Sequence, residues 1–89
     1  MELRYHIVVK GRVQGVGFRF FTQDAASALG LTGWVKNAFT GDVEIDVQGL
    51  ETRLAIFEQK ISHGPSLARV DELIKTEIPL REEDRFKIR

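Results

Sequence analysis

The stretch GRVQGVGFR, from Gly11 to Arg19, combines three glycines with a cation at its end. Glycine permits left-handed backbone conformations, so successive N–H groups can turn toward one point. The apolar periodicity that follows predicts a helix, whose first N–H groups lack partners within the helix. Arg19 falls in the first turn of that helix, where a cation opposes the helix dipole. This combination predicts a site for a phosphate-like anion, bound by backbone donors and by the guanidinium of Arg19.

The glycines alone have a second explanation, a tight connection between a strand and a helix. Arg19 favours the anion site, because no local structural reason explains a cation at a helix N-terminus. The nucleotide-binding motifs GxxxxGK[ST] and GxGxxG are absent from this junction. The stretch also resembles the aromatic motif of RNA-recognition domains, but Val16 stands at its first aromatic position. The third predicted strand, DVEIDVQ, carries no aromatic residue, so no nucleic-acid partner is expected.

The composition is typical of a globular domain and excludes several kinds of chemistry. The 89 residues fit one domain, residues 1–89, and 13 basic side chains balance 13 acidic ones. The absence of cysteine excludes disulfides, thiolate catalysis and Cys-ligated metal sites. His63 is isolated in its loop, so no metal site is predicted. The opening segment does not resemble a signal peptide and no segment could span a bilayer, so we expect a cytoplasmic protein without a membrane partner.

The hydrophobic periodicity predicts an α+β fold in the order β-α-β-β-α-β, with a short extra strand at the C-terminus. An antiparallel sheet with both helices on one face buries both helical stripes, and this is the ferredoxin-like arrangement. The predicted strands are Leu3–Lys10, Leu31–Asn37, Asp42–Gln48, Arg69–Ile78 and Phe86–Ile88. The helical stripes are Phe18, Phe21, Ala25, Ala28 and Leu29, and then Leu50, Leu54, Phe57 and Ile61.

Several local features carry predictions of their own. Gly49 is expected to end the third strand. The alternation of the fourth strand slips over residues 71–73, which predicts a bulge. Trp34 is expected in the core, His6 on the sheet surface, and residues 82–84 in a solvated turn.

The predicted topology also brings distant residues together. Its first two strands run parallel with another strand between them, so their C-terminal ends lie at the same edge of the sheet. Asn37 ends the second strand and is therefore expected beside the glycine loop.

With these features in place, the sequence resembles the acylphosphatase family. GRVQGVGFR, GLTGWVKN and GDVEI, at residues 11–19, 30–37 and 41–45, are similar to its two signature regions in order and spacing. The resemblance implies hydrolysis of small-molecule acyl phosphates to a carboxylate and inorganic phosphate, without a cofactor or a covalent phosphoenzyme. We expect the enzyme to be a monomer. It implies that Arg19 binds phosphate and that Asn37 orients the attacking water. The implied backbone donors are Gln14, Gly15, Val16, Gly17 and Phe18.

Two alternatives remain open at this stage. The same fold could be a non-catalytic domain that senses phosphate or a carboxylate through this loop; Arg19 and Asn37 together favour catalysis. Acylphosphatase-like modules also occur within larger carbamoyl-transferring enzymes, and the length of this chain favours an independent enzyme.

Overall fold

A computed structural model describes the whole chain, Met1–Arg89, as two helices and five strands. The elements are β1 (Glu2–Arg12), α1 (Phe18–Ala28), β2 (Thr32–Asn37), β3 (Val43–Leu50), α2 (Glu51–His63), β4 (Arg69–Ile78) and β5 (Phe86–Ile88). Their order confirms the predicted β-α-β-β-α-β fold with a short C-terminal strand.

The strands form one sheet in the order β4-β1-β3-β2-β5. The first four pair antiparallel in this order, as predicted. The extra strand β5 pairs in parallel with β2, so the sheet as a whole is mixed. β3 lies between β1 and β2, so the strands of both β-α-β units belong to one sheet.

The core lies between the two helices and one face of the sheet. Alternate strand residues supply the sheet side of the core, and the apolar stripes of α1 and α2 supply the other side. The principal buried side chains are Ile7, Val9, Val35, Val43, Ile45 and Val47 from the strands, and Phe18, Ala25, Ala26, Leu54, Phe57 and Ile61 from the helices. Burial of these side chains is the main force that holds the helices on the sheet.

The third strand is longer than predicted, because Gly49 does not end it. Gly49 pairs with Leu3, and the ladder continues to the pair of Glu2 and Leu50. A Cβ atom at Gly49 would lie 2.3 Å from the Leu31 side chain, so glycine is needed here for packing space. Leu50 has an extended backbone and is 41% exposed, so it does not belong to the buried stripe of α2.

The predicted bulge is present in β4. Lys10 pairs with Glu72 and the next β1 residue, Gly11, pairs with Val70, which leaves Asp71 without a partner on β1. Such an extra residue shifts the side-chain alternation by one position, which explains the slip in the sequence pattern.

The face of the sheet opposite the helices carries a buried ionic cluster that the sequence analysis missed. Arg4 is fully buried and donates to Asp46 at 3.2 Å and to Glu83 at 2.6 Å. His6 Nδ1 lies 2.6 Å from the other oxygen of Asp46. The prediction of a solvated turn is therefore wrong for Glu83, because its carboxylate is drawn onto Arg4 and is only 18% exposed.

Trp34 also lies on this open face, and its predicted place in the core is wrong. Its neighbours Gly33 and Val35 are buried, and strand alternation turns the indole to the other side. The guanidinium carbon of Arg89 lies 4.6 Å from the Trp34 ring centroid, and Lys36 Nζ lies 5.5 Å from it. Cation–π contacts thus cover the indole instead of apolar packing. No helix has the length and apolar character needed to cross a membrane.

The ionic cluster allows a test of its contribution to stability. Replacing Arg4 with methionine keeps most of the side-chain volume but leaves Asp46 and Glu83 without their cation. We expect Arg4→Met to lower the free energy of unfolding by about 3 kcal/mol, since breaking a buried pair strands a charge. Urea denaturation measures this loss.

The matched control is Arg69→Met, which breaks the exposed pair with Asp71. We expect Arg69→Met to lower the free energy of unfolding by less than about 1 kcal/mol. Equal losses for the two variants would contradict a special role of the buried cluster.

Candidate active site

The glycine loop between β1 and α1 owes its shape to two left-handed residues. Gly15 has φ 74° and Gly17 has φ 78°, and a Cβ atom at either position would meet nothing within 4 Å. Crowding therefore does not explain these glycines, and the backbone conformation does. Left-handed residues in such a loop turn successive N–H groups to one side, which forms an anion-binding concavity.

The N–H groups of residues 15–20 donate to no acceptor in the protein. The first hydrogen bond of α1 runs from Phe21 N to Gly17 O at 3.1 Å, and none of the preceding loop amides forms one. Gly17 at the N-cap offers no side-chain acceptor, and the first turn contains no acidic residue. No negative charge of the protein therefore compensates the positive end of the helix dipole, and no acceptor pairs with the loop donors.

All of residues 15–20 except Val16 line a small cavity of about 130 Å³. The cavity is lined by Val13, Gly15, Gly17, Phe18, Arg19, Phe20 and Asn37. The structure thus brings Arg19 and Asn37 together, although 18 positions separate them in the chain.

The strand order explains why Asn37 reaches this cavity. Val43 of β3 pairs with Val9 of β1 on one side and with Asn37 of β2 on the other. Val9 and Asn37, the last residue of β2, are therefore level and separated by one strand, a distance of about 10 Å. β1 continues for three residues beyond Val9, to Arg12, and the glycine loop follows it.

Arg19 is half-buried and forms an ion pair with none of the acidic side chains. No carboxylate lines the cavity either, so the charge of Arg19 is not neutralised there. The cavity can accept an anion although the chain has no net charge. Neither imidazole nor carboxylate lines it as a general base, and no group of three or more His, Cys, Asp or Glu side chains could hold a metal ion.

Gln14 has a contact that the sequence analysis missed. Its side-chain Nε2 donates to the carbonyl oxygens of Ala38 at 2.8 Å and of Asp42 at 2.9 Å. Both acceptors belong to the turn that follows Asn37, so this side chain ties the glycine loop to that turn. A polar side chain among loop glycines was the available signal. Neither Gln14 nor Val16 lines the cavity, and the Val16 side chain packs against the core.

A salt bridge fixes the same turn to β1. Lys10 Nζ lies 2.9 Å from Asp42 Oδ2, and the Thr40 hydroxyl donates to the same oxygen at 3.0 Å. The Lys10 hydrogen bond, with help from Thr40, lowers the pKa of Asp42 below its ordinary value of 3.8. The same bond raises the pKa of Lys10 above its ordinary value of 10.5.

Two larger cavities lie elsewhere on the molecule. One of about 850 Å³ adjoins residues 80–84, and one of about 590 Å³ lies between α1 and α2. Neither is lined by Arg19 or Asn37. The small cavity is therefore the one that unites the predicted site residues.

The matching family model and the similar relatives carry the name of one family. The family model described as Acylphosphatase matches residues 5–88. An acylphosphatase of Clostridium beijerinckii is 46% identical over 88 residues, which cover 98% of each chain. The crystal structure of acylphosphatase from Bacillus subtilis superposes with a TM-score of 0.94 at 44% identity, and the match covers 97% of both chains. The fold also matches 12% of the much longer full-length HypF, in a phosphate- and nucleotide-bound form, with a TM-score of 0.92 at 36% identity over 99% of this chain.

The Gln14 contacts allow a first test of the site's construction. Gln14→Ala removes two hydrogen bonds and leaves two carbonyl oxygens without this donor. We expect the free energy of unfolding, measured by urea denaturation, to fall by about 1–3 kcal/mol. In the control Gln23→Ala, only one bond of 3.3 Å to Phe86 O is lost, and the expected loss is smaller. A larger loss in the control would contradict the assigned role of Gln14.

The Lys10–Asp42 pair predicts a pH dependence. Because the folded pKa of Asp42 is lowered, its stabilisation is present above pH 3.8 and disappears as the pH falls through the folded value. The raised pKa of Lys10 keeps the stabilisation in place up to pH 10.5, and it disappears as the pH rises through the folded value. The difference in unfolding free energy between the unmodified chain and Asp42→Asn should be constant from about pH 5 to 9 and shrink below about pH 4. Urea titrations across this range measure it, and a difference that grows below pH 4 would have the wrong sign.

Proposed function

This chain belongs to the acylphosphatase family and is a hydrolase of acyl phosphates, and we propose that the cavity between Arg19 and Asn37 is its active site. The observation that carries this proposal is the row of unpaired N–H groups at residues 15–20, which lies beside an unneutralised arginine. A protein normally pairs its backbone donors, so a run of free ones beside a cation is best explained by an anionic ligand.

The phosphoryl group of the substrate binds in the glycine loop. The amides of residues 14–18 and the guanidinium of Arg19 donate to its oxygens. Each charge-assisted hydrogen bond contributes about 1.5–3 kcal/mol, so a few of them bind phosphate without help from the overall charge. These donors are already in place before the reaction, so they stabilise the charge on the equatorial oxygens in the transition state at no cost of reorganisation.

Asn37 orients the water that attacks phosphorus. Its side-chain amide accepts a hydrogen bond from the water or donates one to it, in line with the bond that breaks. As the water oxygen bonds to phosphorus, the bond between phosphorus and the acyl oxygen breaks and a carboxylate departs. One proton of the water passes to a phosphate oxygen of the substrate, and the products are the carboxylate and dihydrogen phosphate. The carboxylate is a good leaving group, so this step needs little acid catalysis.

We also propose that the chain acts as a cytoplasmic monomer without nucleic-acid or membrane partners. Its formal net charge of zero provides no general attraction to nucleic acid or to acidic lipid. The edge strand β4 is charged at Arg69, Asp71, Glu72, Lys75 and Glu77. Charges on an edge strand oppose pairing with the sheet of a second copy.

Single substitutions test the roles of the two side chains. We expect Arg19→Ala and Asn37→Ala each to reduce the turnover of benzoyl phosphate at least ~100-fold, comparable to the loss of an oxyanion-hole donor. Arg19→Ala should also weaken competitive inhibition by inorganic phosphate, whereas Asn37→Ala should leave that inhibition nearly unchanged. Steady-state kinetics with chelator present, on variants shown to be folded by circular dichroism, measure both effects.

The control is Arg53→Ala, which removes an exposed arginine on α2 far along the chain from the loop. It should retain full activity. Full activity of folded Asn37→Ala would contradict its role. Saturable phosphate binding without turnover in the unmodified chain would instead favour a phosphate sensor.

A further inference from the structure

Phe20 is a large apolar side chain placed at the cavity rather than in the core. It follows Arg19 in the first turn of α1 and is 65% exposed. It belongs neither to the buried core nor to the partly buried residues packed against it. Helix packing is provided instead by Phe18, Thr22 and Ala25, which are buried on the other side of α1. Packing of the fold therefore does not explain this exposed ring.

The size of the cavity limits which part of a substrate it can enclose. A volume of about 130 Å³ is well below the range, about 300–1,000 Å³, of pockets that enclose a whole small-molecule ligand. A phosphoryl group and the attacking water fill such a space. The acyl group must therefore lie outside, at the mouth of the cavity.

Among the residues that line the cavity, only one exposes a large apolar surface. Among the three large apolar side chains that line the cavity, Val13 is 1% exposed and Phe18 is 2% exposed, and only Phe20 presents its ring to solvent. The side chains with hydrogen-bonding groups, Arg19 and Asn37, are engaged by the phosphoryl group and the water in the proposed mechanism. An acyl group that extends out of the cavity therefore contacts the aromatic ring of Phe20. It meets no charged lining residue other than Arg19.

We infer that Phe20 forms an acyl-binding subsite and that the enzyme prefers acyl phosphates with aromatic or bulky apolar acyl groups to those with small ones. This inference rests on the proposed active site. Contact between the acyl group and the ring removes apolar surface from water, and an aromatic pair adds to this gain. The preference contributed by this contact is about two- to tenfold.

The first experiment compares benzoyl phosphate with acetyl phosphate on the full chain and on Phe20→Ala. We expect Phe20→Ala to lower kcat/KM about fivefold for benzoyl phosphate and less than twofold for acetyl phosphate, with inhibition by inorganic phosphate unchanged. Phe39→Ala is the matched control, because Phe39 is fully exposed but does not line the cavity. This variant should leave kcat/KM unchanged for both substrates. Equal losses on both substrates, or no loss on either, would overturn the inference.

A binding experiment separates this inference from the proposed catalysis. Calorimetry compares phenylphosphonate with methylphosphonate, which carry the same anionic group but differ in apolar bulk. We expect tighter binding of phenylphosphonate to the unmodified chain and to Phe39→Ala, and loss of this difference in Phe20→Ala. If neither acyl phosphate is hydrolysed but the difference depends on Phe20, the catalytic proposal fails and the subsite stands. Equal affinities in the unmodified chain would overturn the subsite whatever the outcome of the kinetics.

Discussion

The pairing of β3 with both β1 and β2 is the constraint on which the site depends. Antiparallel pairing on both sides makes β1 and β2 parallel and places Val9 of β1 level with Asn37, the last residue of β2. This geometry places a loop that follows one strand beside a residue that ends another. The remaining gap is spanned by Gln14, whose amide joins the loop to the turn after Asn37, and the Lys10–Asp42 pair fixes the same turn from β1. The backbone topology thus sets the approximate position of the site, and these contacts refine it.

The glycine loop of the candidate site lacks stabilising interactions that the rest of the fold has. Gly15 and Gly17 adopt conformations with little packing around them, and the amides of residues 15–20 lack partners in the protein. Such a loop persists because it is fixed at both ends: β1 lies within the sheet, and Phe18 anchors the start of α1 in the core at 2% exposure. A rigid framework around unsatisfied donors is the arrangement that preorganised electrostatic catalysis requires.

Much of this arrangement could be predicted from the sequence, because it depends on patterns that are local. Alternation and helical spacing located the strands and helices, and the slip in β4 located the bulge at Asp71. Glycine spacing and Arg19 indicated the cavity, and the topology placed Asn37 beside it. These signals depend on periodicity and backbone conformation, which neighbouring residues largely determine.

The features that were missed depend on contacts between distant segments. Arg4 is buried, and its carboxylate partners are Asp46 and Glu83, the latter 79 residues later in the chain. Trp34 is removed from the core by strand alternation and covered by Arg89, which lies at the far end of the chain. The tether from Gln14 likewise depends on carbonyl groups 24 and 28 residues away. Residue type alone does not specify such partners.

The most direct test of the central claim is a titration of the ¹⁵N-labelled chain with inorganic phosphate, followed through the backbone amide resonances. If the free donors of the loop bind the anion, the amides of residues 15–20 should shift most, and saturably, with smaller changes at Asn37. The same titration of Arg19→Ala should require more phosphate to reach saturation. Shifts centred on the larger cavity beside residues 80–84, with the loop amides unmoved, would contradict the account.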